Sequence, residues 1–464
     1  MSQTEKQLKA AQRIAEHVAE HLQADLSLKL WDGTVVPLGS GARRDIVIAV
    51  SSPAAIRRLI FSPTLMTLVE LYATGDIDIH GGTPLDAARR WDHLKAVRLG
   101  RKLNKRLLLA SLWPFLRAGE AGSAAAAEGY HDIVQGRPEA GRDDKKLVQF
   151  HYDVSNAFYE LFLGKEMVYS AGWFATRETS LDDAEVAKLD QVCRRLRLKP
   201  GDRLLEIGSG WGGLLCHAVR HFGVTAYGVT LSQEQFDYSQ AKISRLGLED
   251  RITVELRDYR TIAETGAFDA VAQIGMFEHV GIDNHDAYFT LVNRVLKPRG
   301  RYLHQAITRR PTRELRRFRR PTSYQKVITR FIFPGGELDY LGLTLTNMER
   351  NGFEIHEVQT WREQYQRSLE LWAERLAANR ELAEREAGSV KTRLWLLYFT
   401  LFALGFDRNV CFDFQTLASK RRIGPSGLAF KPADSYASPA TGASTSPRLR
   451  SSGSEAGPRP LKAS

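Results

Sequence analysis

A glycine-rich turn after an apolar strand constrains the fold of this chain most strongly. The segment LLEIGSGWGG (204–213) follows the run RLLEI (203–207) and opens onto a helical pattern. Gly208, Gly210 and Gly212 allow a tight turn and the close approach of a ligand to the backbone. Such a turn is typical of the first strand-to-helix connection of a parallel sheet, where small molecules bind.

Further strands alternate with helical patterns around this turn. The predicted strands are RLLEI (203–207), TAYGVT (225–230), RITVEL (251–256), FDAVAQI (268–274) and GRYLHQAI (300–307). Alternation of this kind indicates a parallel sheet with crossover helices. The sequence therefore predicts an α/β, Rossmann-like domain as the main unit.

A chain of 464 residues is too long for one compact core, so we expect more than one domain. Residues 1–118 read as a smaller α+β domain, and residues 119–145, rich in Gly, Ala and charge, as a linker. The Rossmann-like domain is predicted over residues 146–425. The tail at 426–464 is rich in Ser, Pro, Gly and Ala and is predicted to be disordered.

The acid in the glycine motif indicates the type of cofactor. In nicotinamide-binding folds the informative acid lies about 20 residues beyond the glycines, at the end of the next strand. Here that strand ends in GVTLSQEQ (228–235), with no acid before Glu234, whereas Glu206 precedes the glycines. The pattern E-x-G-x-G-x-G resembles the first motif of S-adenosylmethionine-dependent methyltransferases. The glycines alone could instead be turn chemistry.

Two later strand ends offer further cofactor contacts. Thr230, Leu231 and Gln235 stand where the commonest version of that fold has a ribose-binding acid, although Gln235 could also complete a helix cap begun by Ser232. Asp258 and Tyr259 follow the third strand and are placed to meet an adenine ring, or simply to form a turn.

The second region resembles the cyclopropane-fatty-acyl-phospholipid synthases and the related mycolic acid cyclopropane synthases. The resemblance rests on segments that keep the family order: FHYDVSNAFYELFLG (150–164), VYSAGWF (168–174), KLDQVCRRLRLKPG (188–201), LLEIGSGWGG (204–213), GVTLSQEQ (228–235), RDYR (257–260), IGMFEHVG (274–281), YLHQAI (302–307), FIFPGG (331–336) and QYQRSLELW (364–372). The first region is more loosely similar to the N-terminal, lipid-binding-like domain of the longer bacterial enzymes.

The resemblance implies a reaction. The family transfers a methyl group from S-adenosylmethionine to a cis double bond of a phospholipid acyl chain and closes a cyclopropane ring, with bound bicarbonate as the base. Two enzymatic alternatives remain open: a methyl- or methylene-branched product of the same first step, and methylation of a small molecule. A lipid-binding protein that has lost catalysis is the alternative from another class.

The resemblance also implies roles for individual residues. Glu278, His304 and Tyr365 would hold the bicarbonate, together with the backbone N–H of Ala171, which stands where the family usually has cysteine. Tyr152, Tyr169, Ser170 and Ile274 would approach the cofactor. Phe174, Phe277 and Tyr365 are candidates to stabilise a carbocation through their ring faces. For His279 a structural contact at the strand end is expected.

Two departures from the family pattern put the product in doubt. Ala171 replaces the cysteine, so the intermediate could lose its proton elsewhere and yield a branched chain. After His304 the sequence reads Gln305, Ala306 and Ile307 where the family commonly has T-I-G, which could shift a backbone contact.

Charge and composition point to the partners. Lys and Arg number 65 against 54 Asp and Glu, a formal net charge of +11, which suits nucleic acid, an anionic membrane or a phosphorylated substrate. No nucleic-acid-binding motif is evident. The segment 309–326 carries seven arginines and is either a solvated loop or a surface that docks on lipid phosphates.

Cellular placement follows from three further features. Three separated cysteines indicate a reducing, cytoplasmic compartment. The N-terminus lacks the apolar core of a signal peptide. The apolar run LWLLYFTLFALGF (394–406) is shorter than the ~20 residues of a membrane-spanning helix, so a buried or interfacial helix is expected. We therefore predict a peripheral protein on the inner face of the membrane, for which the family implies a homodimer.

Overall fold

The computed structural model describes residues 2–91, 105–116, 118, 119, 121, 143–152 and 154–425. Nearly all of the predicted linker and the whole predicted tail lie outside these residues, so both remain predictions. The described residues form one compact unit.

The N-terminal region combines a small sheet with short helices, as the α+β prediction required. Its four strands are β1 (Ser27–Lys29), β2 (Val35–Pro37), β3 (Val47–Val50) and β4 (Ile77–His80), in the order β2-β1-β3-β4. Its helices are α1 (Gln3–Leu22), α2 (Pro53–Phe61), α3 (Leu65–Ala73), α4 (Pro84–Arg89) and α5 (Lys105–Leu112). Helix α3 ends at Ala73, and Gly75, two residues later, has a φ of +80°.

The second region is built on a seven-stranded sheet. Its strands are β5 (Arg203–Ile207), β6 (Thr225–Thr230), β7 (Ile252–Leu256), β8 (Phe268–Ile274), β9 (Leu296–Arg309), β10 (Phe353–Thr360) and β11 (Cys411–Lys420). The order is β10-β11-β9-β8-β5-β6-β7, with β5 to β9 parallel to one another and β11 antiparallel to both of its neighbours. The five predicted strands are confirmed, and two antiparallel strands were missed.

Helices cover both faces of this sheet. They are α6 (Asp144–Tyr152), α7 (Asn156–Glu160), α8 (Leu181–Arg195), α9 (Gly213–Phe222), α10 (Gln233–Arg245), α11 (His285–Val295), α12 (Leu315–Phe318), α13 (Ser323–Phe331), α14 (Leu341–Arg350), α15 (Arg362–Ala378), α16 (Arg380–Ala387) and α17 (Ser389–Asp407). Single 3-10 turns lie at Tyr259–Thr261, Phe277–His279 and Ile282–Asn284.

Burial on both faces explains why the central strands are continuously apolar. Leu204 of β5 and Leu303 of β9 belong to a core on one face, whereas Leu205 and Tyr302, one residue away in each strand, belong to a core on the other. Successive side chains of a strand point to opposite faces, so a strand covered on both sides has no polar alternation. The sheet therefore holds its strand ends in fixed positions.

Helix α17 contains the apolar run that was expected to be buried or interfacial. Its Trp395 and Phe399 lie in a large core shared with α15 and with Val69 of α3. Near the start of α17, the buried guanidinium of Arg393 donates to the carbonyl oxygens of Tyr72 and Ile77 and to the Asp78 carboxylate. No helix in the described part of the chain combines the length and the apolar content that crossing a membrane demands.

Candidate active site

The glycine turn after β5 forms one wall of a cavity at the carboxyl ends of the parallel strands. Gly208 has a φ of +80° and Gly210 a φ of +53°, in the left-handed region that favours glycine. A Cβ on Gly208 would lie 2.8 Å from Cβ of Met276, whereas a Cβ on Gly210 would meet no heavy atom within 4 Å. The turn thus exposes backbone to the cavity. Gly212 does not line the cavity; it is the N-cap of helix α9 and has a φ of +76°.

Glu206 and Lys188 are the buried charged groups of this cavity. Burial raises the pKa of Glu206 to about 8, and the charge of Lys188 opposes that rise. Burial likewise lowers the pKa of Lys188 to about 8, opposed by Glu206. Oε2 of Glu206 has no hydrogen-bond partner among the described residues, so one carboxylate oxygen is left for a ligand. Lys188 begins the family segment KLDQVCRRLRLKPG (188–201), but the sequence predicted no role for it at the cofactor site.

The far side of the cavity is made by the ends of β6 and β7. The Thr230 hydroxyl donates to Oε1 of Gln235 at 2.9 Å, and Ser232 caps α10 by accepting from the Gln235 N–H. Gln235 therefore takes part in both predicted features. Its backbone N–H completes the helix cap made by Ser232, and its side chain lines the cavity beside Leu231. Arg260 lies between Asp258 and Asp144 at this rim, 2.9 Å from Asp144.

The structure brings most of the predicted cofactor residues to this one cavity. Its lining includes Tyr169, Ser170, Glu206, Gly208, Gly210, Thr230, Leu231, Gln235, Asp258, Tyr259 and Ile274. The side chain of Tyr152 lies outside the described residues. An open glycine turn, a carboxylate oxygen without a partner and an aromatic rim fit the hydroxyl, amino and adenine groups of S-adenosylmethionine, so the residues present fit this cofactor.

A second, mostly apolar cavity of about 410 Å³ meets the first. The two share Tyr169, Gly275 and His279 in their walls. Apolar residues from α13, α17 and the segment before α14 make the body of the second cavity: Ile328, Phe333, Leu338, Leu401, Phe402 and Leu404. A cavity of this chemistry accepts a hydrocarbon chain and places it against the first cavity.

Glu278 stands in the wall of the apolar cavity, within the 3-10 turn after β8. Its Oε1 accepts the backbone N–H of Ile307 at 2.6 Å, and its Oε2 is buried without a hydrogen-bond partner among the described residues. Burial raises the pKa of Glu278 to about 7, and the Ile307 N–H opposes that rise. A carboxyl group in this state can accept or hold a proton near neutral pH.

Tyr365 and Tyr169 supply phenol groups on the same side. Tyr365 lines the apolar cavity, with its ring stacked on Phe406 at 5.0 Å between centroids. The Tyr169 hydroxyl donates to the hydroxyl of Tyr398 at 3.2 Å, and burial raises its pKa well above the usual value. The Tyr169 phenol therefore stays protonated and can act as a hydrogen-bond donor.

His279 lies at the junction of the two cavities, beside the Phe333 ring at 5.5 Å. The sequence interpretation expected only a structural contact here, and the structure gives it a position facing both ligand spaces. One sequence signal could have indicated this position: His279 directly follows Glu278 at the end of β8, and the glycine turn follows the neighbouring strand β5.

His304 is not where the resemblance placed it. Its Nδ1 lies 2.9 Å from the Tyr302 hydroxyl, and its ring packs against Phe277 and Phe289 in the core on the opposite face of the sheet. It lines neither cavity. The reason is strand alternation, because Ile307, whose N–H reaches Glu278, lies three residues on and so faces the other way. The expected anion contact of His304 is therefore wrong for this geometry.

Three further predicted residues lie away from the cavity walls. Ala171 is fully buried and lines neither cavity, so the anion contact of its N–H stays a prediction. Phe174 and Phe277 lie in hydrophobic cores rather than in the cavity walls. Of the rings proposed to stabilise a cation, Tyr365 lines the apolar cavity, and Tyr324, Phe333 and Phe402 are others that do.

Comparisons with known proteins agree with this geometry. The family model described as mycolic acid cyclopropane synthetase matches residues 140–415. A probable fatty acid methyltransferase of Pseudomonas putida is 31% identical over 403 residues, 86% of this chain and 93% of that protein. The cyclopropane-fatty-acyl-phospholipid synthase of Escherichia coli K12 is 34% identical over 257 residues, 55% of this chain and 63% of that protein.

A solved structure supports the same conclusion. The mycolic acid cyclopropane synthase CmaA1 complexed with SAH and CTAB superposes with a TM-score of 0.56 at 30% identity, covering 62% of this chain and 100% of that one. The fold, the glycine turn and the similarity over most of the chain agree with one another. This chain therefore belongs to the mycolic acid cyclopropane synthetase family and is an S-adenosylmethionine-dependent methyltransferase.

Proposed function

We propose that the protein transfers a methyl group from S-adenosylmethionine to the cis double bond of an unsaturated phospholipid acyl chain and forms a cyclopropane fatty acid. The observation that carries the proposal is the apolar cavity of about 410 Å³ that meets the cofactor cavity at Tyr169, Gly275 and His279. An alkene is a weak nucleophile, so its alignment with the methyl donor must come from positioning by the walls.

The chain's own residues prepare this reaction in three ways. The glycine turn and Glu206 hold the cofactor, whose sulfonium supplies an electrophilic methyl group. The apolar walls exclude water from a cationic intermediate, and the Tyr365 and Phe333 rings offer it their faces. Glu278 and the Tyr365 phenol would hold a bicarbonate ion, which would supply a base for the proton lost on ring closure.

A methyl- or methylene-branched product is the second candidate. It is favoured by a specific observation: of the four residues expected at the base site, Ala171 and His304 line neither cavity. A base site with fewer partners leaves the position of proton loss less constrained. The position from which the proton is lost then decides whether the product is a cyclopropane or a branched acyl chain.

Proton NMR of the product separates these outcomes. The purified protein is incubated with S-adenosylmethionine and vesicles of cis-unsaturated phospholipid, and the acyl chains are extracted. Upfield cyclopropyl methylene signals support the proposal, and vinylidene or branched-methyl signals support the second candidate. Unchanged olefin despite bound cofactor contradicts both. Repeating the reaction in bicarbonate-free buffer, with and without added bicarbonate, tests the base: an unchanged rate would exclude a bound bicarbonate.

We also propose that the protein works as a peripheral protein at the cytoplasmic face of the membrane. The arginine-rich segment 309–326 supports this, because Arg310 and Arg316 are exposed and basic clusters favour anionic surfaces by about 1 kcal/mol per residue. Flotation with anionic vesicles at low and high salt measures it, and salt-insensitive or absent binding would contradict it. The homodimer implied by the family remains a prediction.

A further inference from the structure

The apolar cavity has one end at the cofactor and another at the protein surface. Tyr169, Gly275 and His279 belong to the inner end that it shares with the cofactor cavity. Arg310, Thr322, Tyr324 and Val410 line the same cavity and are exposed, so they mark its mouth. A ligand that fills the cavity must leave its outer part at this mouth.

The cations of the cavity wall lack carboxylate partners. Arg309, Arg310 and Arg408 line the cavity, and none of them forms an ion pair among the described residues. Arg310 forms no hydrogen bond there, and Arg408 makes a single long contact of 3.4 Å to the carbonyl oxygen of Trp91. The lining contains one acid, Glu278, among the described residues.

Arg309 is held by neutral groups. Its guanidinium lies 3.7 Å from the centroid of the Phe318 ring and donates to the carbonyl oxygens of Phe318 and Leu338. It thus adds positive charge to the wall without a direct ion pair among the described residues, although the charge of Glu337 acts on it from a greater distance. A cation in such a place favours an anionic ligand nearby.

Arg319 of the same segment is neutralised, because it is bonded to both oxygens of Asp283 and also to Glu337. Arg310 and Arg408 differ from Arg319, since each lines the cavity and forms no ion pair among the described residues.

We propose that Arg310 and Arg408 bind the phosphate of a phospholipid headgroup at the mouth of the apolar cavity. The inference rests on the proposed function, because it places the anion of the same molecule whose acyl chain fills the cavity. Guanidinium groups bind phosphate oxygens in a planar, bidentate manner, so two of them fix the headgroup and set the depth of the chain. A phospholipid combines this anion with a long apolar chain in one molecule.

Steady-state kinetics tests the subsite. Full-length protein acts on dioleoylphosphatidylglycerol and on dioleoylglycerol, each in the same neutral detergent micelles. We expect the double variant Arg310→Gln/Arg408→Gln to raise KM for the phospholipid about tenfold, with kcat unchanged and with no change for dioleoylglycerol. Arg310→Lys/Arg408→Lys should restore part of the loss, because charge is kept and the bidentate geometry is not.

The matched control is Arg350→Gln/Arg385→Gln, two exposed arginines outside the basic segment that do not line the cavity. This variant should leave KM in micelles unchanged. An equal rise of KM in the control, or equal KM values for the two lipids with the unsubstituted protein, would overturn the subsite. Oleoyl-coenzyme A used in preference to phospholipid, with the same arginine dependence, would assign the phosphate to a thioester carrier and overturn the headgroup.

Direct binding separates failure of the subsite from failure of the proposed function. Calorimetry with monomeric dihexanoylphosphatidylglycerol requires no turnover. Binding that weakens about tenfold in the Arg310→Gln/Arg408→Gln variant supports the subsite even if no olefin reacts. Binding of equal strength in that variant and in the unsubstituted protein overturns it even if the enzyme is active.

Discussion

The carboxyl group of Glu278 uses one oxygen for the backbone of β9 and keeps the other free among the described residues. The Ile307 N–H fixes the orientation of the group, while burial raises its pKa to about 7. The Ile307 N–H thus sets the orientation of the carboxyl group, and burial is the largest influence on its pKa. A substitution that preserves shape but removes the ionisable oxygen separates the two.

The variant Glu278→Gln should lower kcat by at least about 100-fold, because the proposed bicarbonate site loses a carboxylate acceptor. The dissociation constant for S-adenosylmethionine should stay within about twofold, since Glu278 does not line the cofactor cavity. Radiolabelled methyl transfer and calorimetry measure the two quantities. Glu363→Gln, an exposed acid on α15, is the control, and full turnover by Glu278→Gln would remove Glu278 from the mechanism.

Gly208 is a residue at which backbone freedom and ligand space are both needed. Gly208→Ala should weaken S-adenosylmethionine binding at least tenfold, because the new Cβ would stand 2.8 Å from Met276 and disturb the turn. Gly247→Ala is the matched control: Gly247 also has a positive φ, +64°, but a Cβ there would meet no atom within 4 Å. Both variants should lose about 1–2 kcal/mol of stability, and an equal loss of affinity in both would show a global effect.

At the scale of elements, the sequence predicted the five parallel strands because their apolar runs are continuous. Strand β10 was missed because His356 and Glu357 interrupt its apolar–polar alternation, at the register shift after Ile355. Strand β11 was missed because Cys411–Lys420 follows closely on α17. The site was predictable where backbone motifs carry it, at the glycine turn and at the ends of β6 and β7. It failed at His304, since one residue of shift along a strand moves a side chain to the other face.

Helix α17 joins the N-terminal region to the apolar cavity, with Arg393 near one end and Leu401 and Phe402 toward the other. Arg393→Ala should lower the free energy of unfolding by about 3 kcal/mol or more, because it removes the buried cation that pairs with the Asp78 carboxylate and donates to two carbonyl groups. Urea denaturation measures this loss. Arg385→Ala, at an exposed position on the neighbouring helix α16, should change it by less than about 0.5 kcal/mol.

At the scale of the whole molecule, several carboxyl groups are buried with raised pKa values. Burial raises the pKa of Asp339 to about 7 and that of Asp413 to about 8, the latter opposed by the Gln305 amide that donates to it at 2.6 Å. A carboxyl group whose pKa is raised on folding stabilises the protein fully below its unfolded pKa. That stability is lost as the pH rises through the folded pKa.

The contribution of Asp339 and Asp413 to the free energy of unfolding should therefore fall as the pH is raised from about 4 to about 8. In the variant Asp413→Asn, which mimics the protonated acid, the slope should be shallower by up to about 1.4 kcal/mol per pH unit. Urea denaturation at a series of pH values gives both slopes. Asp286→Asn on α11 is the exposed control, and identical slopes for Asp413→Asn and the unsubstituted protein would contradict a neutral Asp413.

The shared wall of Tyr169, Gly275 and His279 has a consequence for the order of events. The two cavities reach the surface at different places, the first beside Arg260 and the second beside Arg310 and Val410. Under the proposed function, spent cofactor would be exchanged for fresh cofactor while the lipid stays in place or slides. One visit to a bilayer would then include several catalytic cycles, so modified chains would accumulate vesicle by vesicle rather than evenly across a population.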